Sequence, residues 1–227
     1  MHCIMVAMEK EAAYLLSKSS IKETKQAGFA KIMLCSIGHH DYVLAVSGIG
    51  KGFASSAMEA VALLYPQLQS CINIGVAGSL DVQRLPLFSS IIASSLVEHD
   101  LDTSAIGDPK GLVSGINLVS LPVDEAISLR LVTAAESVGQ HPLRGVISSG
   151  DTFYADPLNK ERIHQEFHSL ATDMEAAPMA QIAYVNHLPF ASLRTISDAE
   201  NNGLEYAQNA EKAAKIAGEI AEAFLLM

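Results

Sequence analysis

The chain has 227 residues, 49% of them hydrophobic and 18% charged, with 15 basic against 25 acidic side chains for a formal charge of −10. That length supports one sizeable core, and that composition describes a well-buried globular protein rather than a disordered one. An acidic balance without any basic run or stripe excludes an electrostatic nucleic-acid partner and adhesion to an anionic membrane, and no apolar run reaches the roughly 18 residues of a membrane span.

HCIMVA, from residue 2, predicts a buried strand; the run is too short for a signal core and meets Glu9, Lys10 and Glu11 directly, so a cytoplasmic protein is expected. EKEAAYLLSK predicts a helix with Ala12, Leu15 and Leu16 on one face. FAKIMLCSI and DYVLAVS predict a hairpin joined through GHHD. After GIGKG, residues 48–52, the run FASSAMEAVALLY predicts a helix ended by Pro66. SCINIGV predicts a short strand closed by AGSL, and SSIIASSLV and GVISSG predict two more. Between the last two lies LDTSAIGDPKGLVSGINL, the longest irregular segment, and long loops in compact domains often carry function. In ATDMEAAPMA, residues 171–180, Pro178 is tolerated only near the start of a helix, which places that start near Glu175. LPFASLRTIS supplies the last strand before a long amphipathic helix ending AKIAGEIAEAFLLM. Strands alternating with helices predict an α/β fold: a three-layer α/β/α sandwich around a mixed, largely parallel central sheet, built by residues 1–227 as a single domain without repeat or linker. Cys3, Cys35 and Cys71 each sit in or beside a strand-like run, which predicts buried thiols rather than a metal site.

In open α/β sheets ligands collect outside the carboxyl ends of the strands. Three such exits carry acids here: Met8, Glu9 and Glu11 after the first strand, Met174 and Glu175 before the proline-marked helix, and Asp198 at the end of RTISD. Alternation along RTISD puts Arg194, Ile196 and Asp198 on one face, so arginine and aspartate can meet in one cavity. Carboxylates around an arginine, with no cysteine or histidine cluster for zinc, suit acid and base catalysis better than metal binding. Each residue also has a plain structural reading: a helix-start acid for Glu175, a cap or turn for Asp198, a buried ion pair for Arg194 and core packing for Phe153. GIGKG, with Ile49 and Lys51, offers backbone amides for an anion but completes neither a Walker motif nor a dinucleotide fingerprint, and tight-turn glycines explain it equally well. GVAGSL, with Val76, is open to the same two readings.

Taken together and in this order, AMEKE, SGIGK, GVAGSL, HDLDTSAIG, SGDTF, DMEA and RTISD resemble the bacterial 5'-methylthioadenosine/S-adenosylhomocysteine nucleosidases of the purine nucleoside phosphorylase superfamily, from about residue 3 to residue 198. The resemblance implies a phosphorylase/hydrolase-like α/β fold, a homodimer, and hydrolysis of an N-ribosidic bond in a small nucleoside without cofactor or metal. It also implies roles. Glu11 in AMEKE is the base that activates water, aided by Arg194; Glu175 in DMEA accepts from the ribose hydroxyls, with Met174 and Met8 beside the sugar. Asp198, oriented by Ser197, protonates the purine at N7; Phe153 stacks on the base, the Tyr154 backbone recognises adenine, and Ile49 and Val76 belong to the same substrate-binding set. Asp173 supports the turn. Two features depart from the family pattern: Ile106 stands where phenylalanine is usual, and ENNGLEYAQNAEKAAK is short and lacks the familiar turn over the site. Both bear on the 5'-substituent. The candidates are methylthioadenosine and S-adenosylhomocysteine, as in methionine salvage, and 6-amino-6-deoxyfutalosine, as in menaquinone synthesis. A nucleoside phosphorylase using phosphate, and a non-catalytic nucleoside-binding protein on the same fold, remain alternatives.

Overall fold

The computed structural model of the protein describes residues 1–199 and 203–227. Residues 200–202, the start of the segment read as short after Asp198, lie outside the described residues. β1 (His2–Val6) runs into α1 (Glu9–Lys18), followed by β2 (Ser20–Ala27), β3 (Ala30–Ile37), β4 (His40–Val46), α2 (Lys51–Leu64), β5 (Ser70–Ser79) and β6 (Ser90–Glu98). A short 3-10 turn at Ser104–Ile106 breaks the long loop, and β7 (Leu121–Pro122), α3 (Glu125–Ser137), β8 (Leu143–Ser149), α4 (Pro157–Phe167), β9 (Ser169–Asp173), α5 (Ala176–Val185), β10 (Phe190–Asp198) and α6 (Gly203–Leu226) complete the chain.

β1 shows why the helices form two layers. Its odd residues, Cys3 and Met5, enter one core with Ala57, Met58 and Val61 of α2 and Met179 and Ala183 of α5. Its even residues, Ile4 and Val6, enter the other with Leu15 of α1, Leu131 of α3 and Phe224 of α6. A strand apolar on both faces has to be covered on both. The mixed sheet runs β6, β8, β9, β5, β1, β4, β3, β2, and β10 pairs with both β5 and β6. Hence β5, β10, β6, β8 and β9 close into a ring, from which β1, β4, β3 and β2 extend as an open flap. Pairing is parallel at β1–β4, β1–β5, β5–β10, β6–β8 and β8–β9, and antiparallel elsewhere.

β2 has no counterpart among the predicted strands. SIKETKQA is exposed along most of its length and pairs only with β3, so as a sheet edge it carries no apolar alternation to read. Pro178 falls in the first turn of α5 with Glu175 at the N-cap, as its position in the sequence requires. The three cysteines are free and buried.

Candidate active site

The site lies where β1, β5, β9 and β10 deliver their carboxyl ends. Glu11 is the third residue of α1, and its position is fixed by main-chain donors: Oε2 accepts from Ala7 N at 2.9 Å and Met8 N at 3.0 Å, and Oε1 from Val76 N at 3.1 Å. These bonds orient the carboxylate at a helix start, where the dipole favours negative charge. Burial nonetheless pushes Glu11 above the usual carboxylate range, against the pull of Arg194 and the three amides.

Arg194 is 2% exposed and lies behind the cavity wall rather than among its lining residues. Its Nε donates to Asp173 Oδ2 at 2.6 Å and its Nη2 donates to Asn73 Oδ1. Burial opposes its charge, but Asp173, Glu175 and Glu11 together hold it protonated. Asp173 does more than support a turn. Its Oδ1 accepts from Ser149 Oγ at 2.5 Å and from the Glu175 and Ala176 amides at 3.3 Å each, so one carboxylate locks the α5 entry and pairs with Arg194. Glu175 accepts from Gly50 N through Oε1 at 2.9 Å; burial and the neighbouring Asp173 raise its pKa to about 7, outweighing Arg194.

At the other side of the cavity β10 is irregular. Ile196 pairs with Ala77 and Asp198 with Gly78, leaving Ser197 as the extra residue of a bulge. The bulge turns both Ser197 and Asp198 into the cavity, while Ile196 stays in the core, so the simple alternation of Arg194, Ile196 and Asp198 does not survive. Ser197 Oγ donates to Asp198 Oδ1 at 3.0 Å, and buried Lys160 of α4 approaches Oδ2 at 3.5 Å. Burial raises the Asp198 pKa; Lys160 and Ser197 moderate the rise.

Met8, Glu11, Ile49, Val76, Phe153, Tyr154, Met174, Glu175, Ser197 and Asp198 all line this one cavity. Thr152, Thr172 and Tyr206 line it too, and no motif in the sequence marks them; Tyr206 sits in a helix whose amphipathic pattern explains it without a ligand. The glycines of GVAGSL prove to be neither turn nor anion cradle, because β5 continues through Ser79. They provide clearance. A Cβ on Gly75 would collide with Glu11 Oε1 and come 2.7 Å from Arg194 Nη1, and one on Gly78 would lie 2.8 Å from Asp198 Oδ2. The amides of GIGKG are also committed: Gly50 N bonds Glu175, and Lys51 N bonds Asp151 Oδ1 at 2.8 Å. Lys51 Nζ reaches Asp100 at 2.7 Å and Glu98 at 3.3 Å.

A closed strand ring opening on a cleft walled by carboxyls defines a member of the phosphorylase superfamily, and the family model of that description matches residues 2–226. The 5'-methylthioadenosine/S-adenosylhomocysteine nucleosidase of Geobacillus kaustophilus is 34% identical over 224 residues, covering 96% of this chain and 93% of that protein. That of Glaesserella parasuis is 31% identical over 225 residues, covering 98% and 96%. Among solved structures, the futalosine hydrolase of Helicobacter pylori strain 26695 superposes with a TM-score of 0.92 at 26% identity, covering 98% of this chain and 96% of that one. The chain belongs to the 5'-methylthioadenosine/S-adenosylhomocysteine nucleosidase family of the phosphorylase superfamily.

Proposed function

We infer that the protein hydrolyses the N-ribosidic bond of 5'-substituted adenosines and releases adenine. The observation that carries the choice of water over phosphate is the occupancy of the GIGK loop: its Gly50 and Lys51 amides are bonded to carboxylates and its ammonium is paired with Glu98 and Asp100. An incoming phosphate would displace those bonds and face Glu11 and Glu175 across the cavity, a like-charge arrangement that water avoids.

In this reading water attacks the anomeric carbon as Glu11 takes its proton, the carbon–nitrogen bond breaks, and its electron pair passes to the purine, which Asp198 protonates at N7. Two carboxyls on opposite sides of the scissile bond parallel inverting glycoside hydrolysis. Glu175 accepts from the ribose hydroxyls through the oxygen that Gly50 leaves free, Met8 and Met174 pack on the sugar, and Phe153 faces the base beside the Tyr154 backbone. Arg194 acts electrostatically from behind, opposing the rise that burial imposes on Glu11. The chemistry takes no cofactor or metal.

Methylthioadenosine and S-adenosylhomocysteine, substrates named for the curated relatives, and a futalosine-type nucleoside, named for the Helicobacter structure, span the candidate 5'-substituents. A homodimer is part of the reading: Phe29 and Phe53 stack at 4.6 Å on the surface over Gly48, next to cavity-lining Ile49, and Ile106 is 81% exposed. Three unpaired thiols suit a cytoplasmic, reducing setting, and no described helix is long and apolar enough to cross a membrane.

The test is adenine release from each of the three nucleosides, followed by chromatography in phosphate-free buffer. Release without phosphate is expected. Turnover only after phosphate is added would make the protein a phosphorylase, and binding without turnover in either buffer would make it a nucleoside-binding protein.

A further inference from the structure

The cavity lining combines carboxyls with apolar and aromatic side chains. Its titratable carboxyls, Glu11, Asp173, Glu175 and Asp198, surround the positions assigned to sugar and base. The remaining wall brings together Met8, Ile49 and Tyr206. With the ribose hydroxyls on Glu175 and the purine at Asp198, the 5'-carbon is left to face that wall. In that reading an arm extending from the 5'-carbon runs toward Tyr206.

Tyr206 comes from the first turns of α6 and sets its ring edge-on to Phe153, with centroids 5.6 Å apart. Lys10 reaches it from α1, across 196 residues of sequence: Nζ lies 2.8 Å from the phenol oxygen and 4.4 Å from the ring centroid. Lys31, Lys51 and Lys160 each have a carboxylate within ion-pair distance, but Lys10 has none among the described residues. The phenol accepts from Lys10, which frees its own proton to donate; that proton is directed at Met8 Sδ, 3.6 Å away. A thioether is a weak acceptor that a carboxylate oxygen would readily replace, and a phenol polarised by an ammonium is a stronger donor for it. In a protein of formal charge −10, and in a cavity whose acidic or basic lining residues are all carboxyls, this is the corner where an anion gains rather than loses.

We propose that Lys10 and Tyr206 recognise the anionic end of the 5'-substituent, so that the enzyme prefers adenosines whose 5'-arm ends in a carboxylate over those with an uncharged arm. This rests on the hydrolase reading above and names the substrate class within it. Lys10 supplies charge, Tyr206 a directed hydrogen bond, and Met8 and Ile49 cover the apolar part of the arm.

The test compares two nearly isosteric substrates, 5'-S-(3-carboxypropyl)-5'-thioadenosine and its carboxamide, by adenine release with methylthioadenosine as reference. For the unmodified enzyme the acid should exceed the amide by about tenfold in kcat/KM, expressed mainly in KM, as a charge-assisted hydrogen bond at a partly exposed site would give. In Lys10→Met the acid-to-amide ratio should fall to about one, and Lys10→Arg should recover part of it. Tyr206→Phe should lower the ratio by a smaller factor. Because each ratio is internal to one variant, a general loss of activity does not mimic the effect. An unmodified enzyme that shows no preference for the acid, or a preference that survives Lys10→Met, overturns the proposal while leaving the hydrolase reading intact. Adenine release from none of the three nucleosides overturns both.

Discussion

Three carboxyls and one guanidinium share the interior around Arg194, and burial, outweighing the pull of that guanidinium, raises the pKa of Glu11 and of Glu175. Asp173 holds the direct pair, Glu11 is fixed by three amides, and Glu175 is left with a pKa of about 7. Because this value is raised above the usual carboxylate range, the stability that protonated Glu175 contributes is fully present below about pH 4.5 and is lost as pH rises through about 7. Glu175→Gln, which cannot ionise, should therefore melt at nearly the wild-type temperature around pH 5 and a few degrees higher at pH 8; a difference independent of pH would place the charge elsewhere. The assigned acid and base make a second prediction. Asp198→Asn and Glu11→Gln should each lose about 10²-fold or more in kcat while keeping the far-ultraviolet circular dichroism of the fold. Wild-type rates in either variant would remove that residue from the mechanism. Lys160, 3.5 Å from Asp198, holds the acid below the level that burial alone would set. Its replacement by Met should move the alkaline limb of the kcat/KM profile, where Asp198 loses its proton, to higher pH, and Lys160→Arg should move it back; an unmoved limb means another group titrates there.

At the scale of elements, the parallel pair β5–β10 is the part that makes the site possible. Arg194 stands opposite Gly75 and Asp198 opposite Gly78 in the register, so the two large charged side chains are housed where the neighbouring strand has no Cβ. The bulge at Ser197 then swings Asp198 into the cavity instead of leaving it aligned with Arg194. Gly78→Ala should accordingly harm turnover out of proportion to stability: kcat should fall by roughly 10²-fold, as when an acid catalyst is displaced, with only a modest drop in melting temperature. A variant that melts far lower yet turns over normally at low temperature would show that Gly78 serves packing alone. These glycines were visible in GVAGSL as a motif, but their purpose was not, since clearance depends on which side chains lie opposite.

For the whole molecule, the closed ring of five strands gathers chain segments as distant as Glu11 and Asp198 at one mouth, and the flap β1, β4, β3, β2 carries α1 against it. The apolar surface beside that mouth, Phe29 on Phe53 next to Ile49, is the place where a second subunit is expected. Phe53→Asp should shift sedimentation from dimer to monomer and reduce adenine release with it. A sedimentation profile unchanged by the substitution, or monomeric before it, would put the interface elsewhere or remove it.

The sequence by itself determined most of the elements and pointed to many of the residues that line the cavity. Apolar runs marked β1, β4, β5, β6 and β10, the spacing of Ala12 and Leu15 marked α1, and Pro178 located the start of α5, because those patterns express burial and backbone constraint within a few residues. Acids at strand exits and the ordered motifs point to Glu11, Glu175 and Asp198 from the sequence. Only the tertiary structure decided what those groups touch. That Arg194 pairs with Asp173 and Asn73 rather than lining the cavity, that Lys51 is neutralised by Glu98 and Asp100, and that Lys10 lies on Tyr206 are contacts between residues 21 to 196 positions apart. Edge strand β2 escaped notice for the related reason that its residues bury little. Local pattern records how a segment meets its own core or solvent, whereas register, bulges and charge pairing are settled by the segment packed against it.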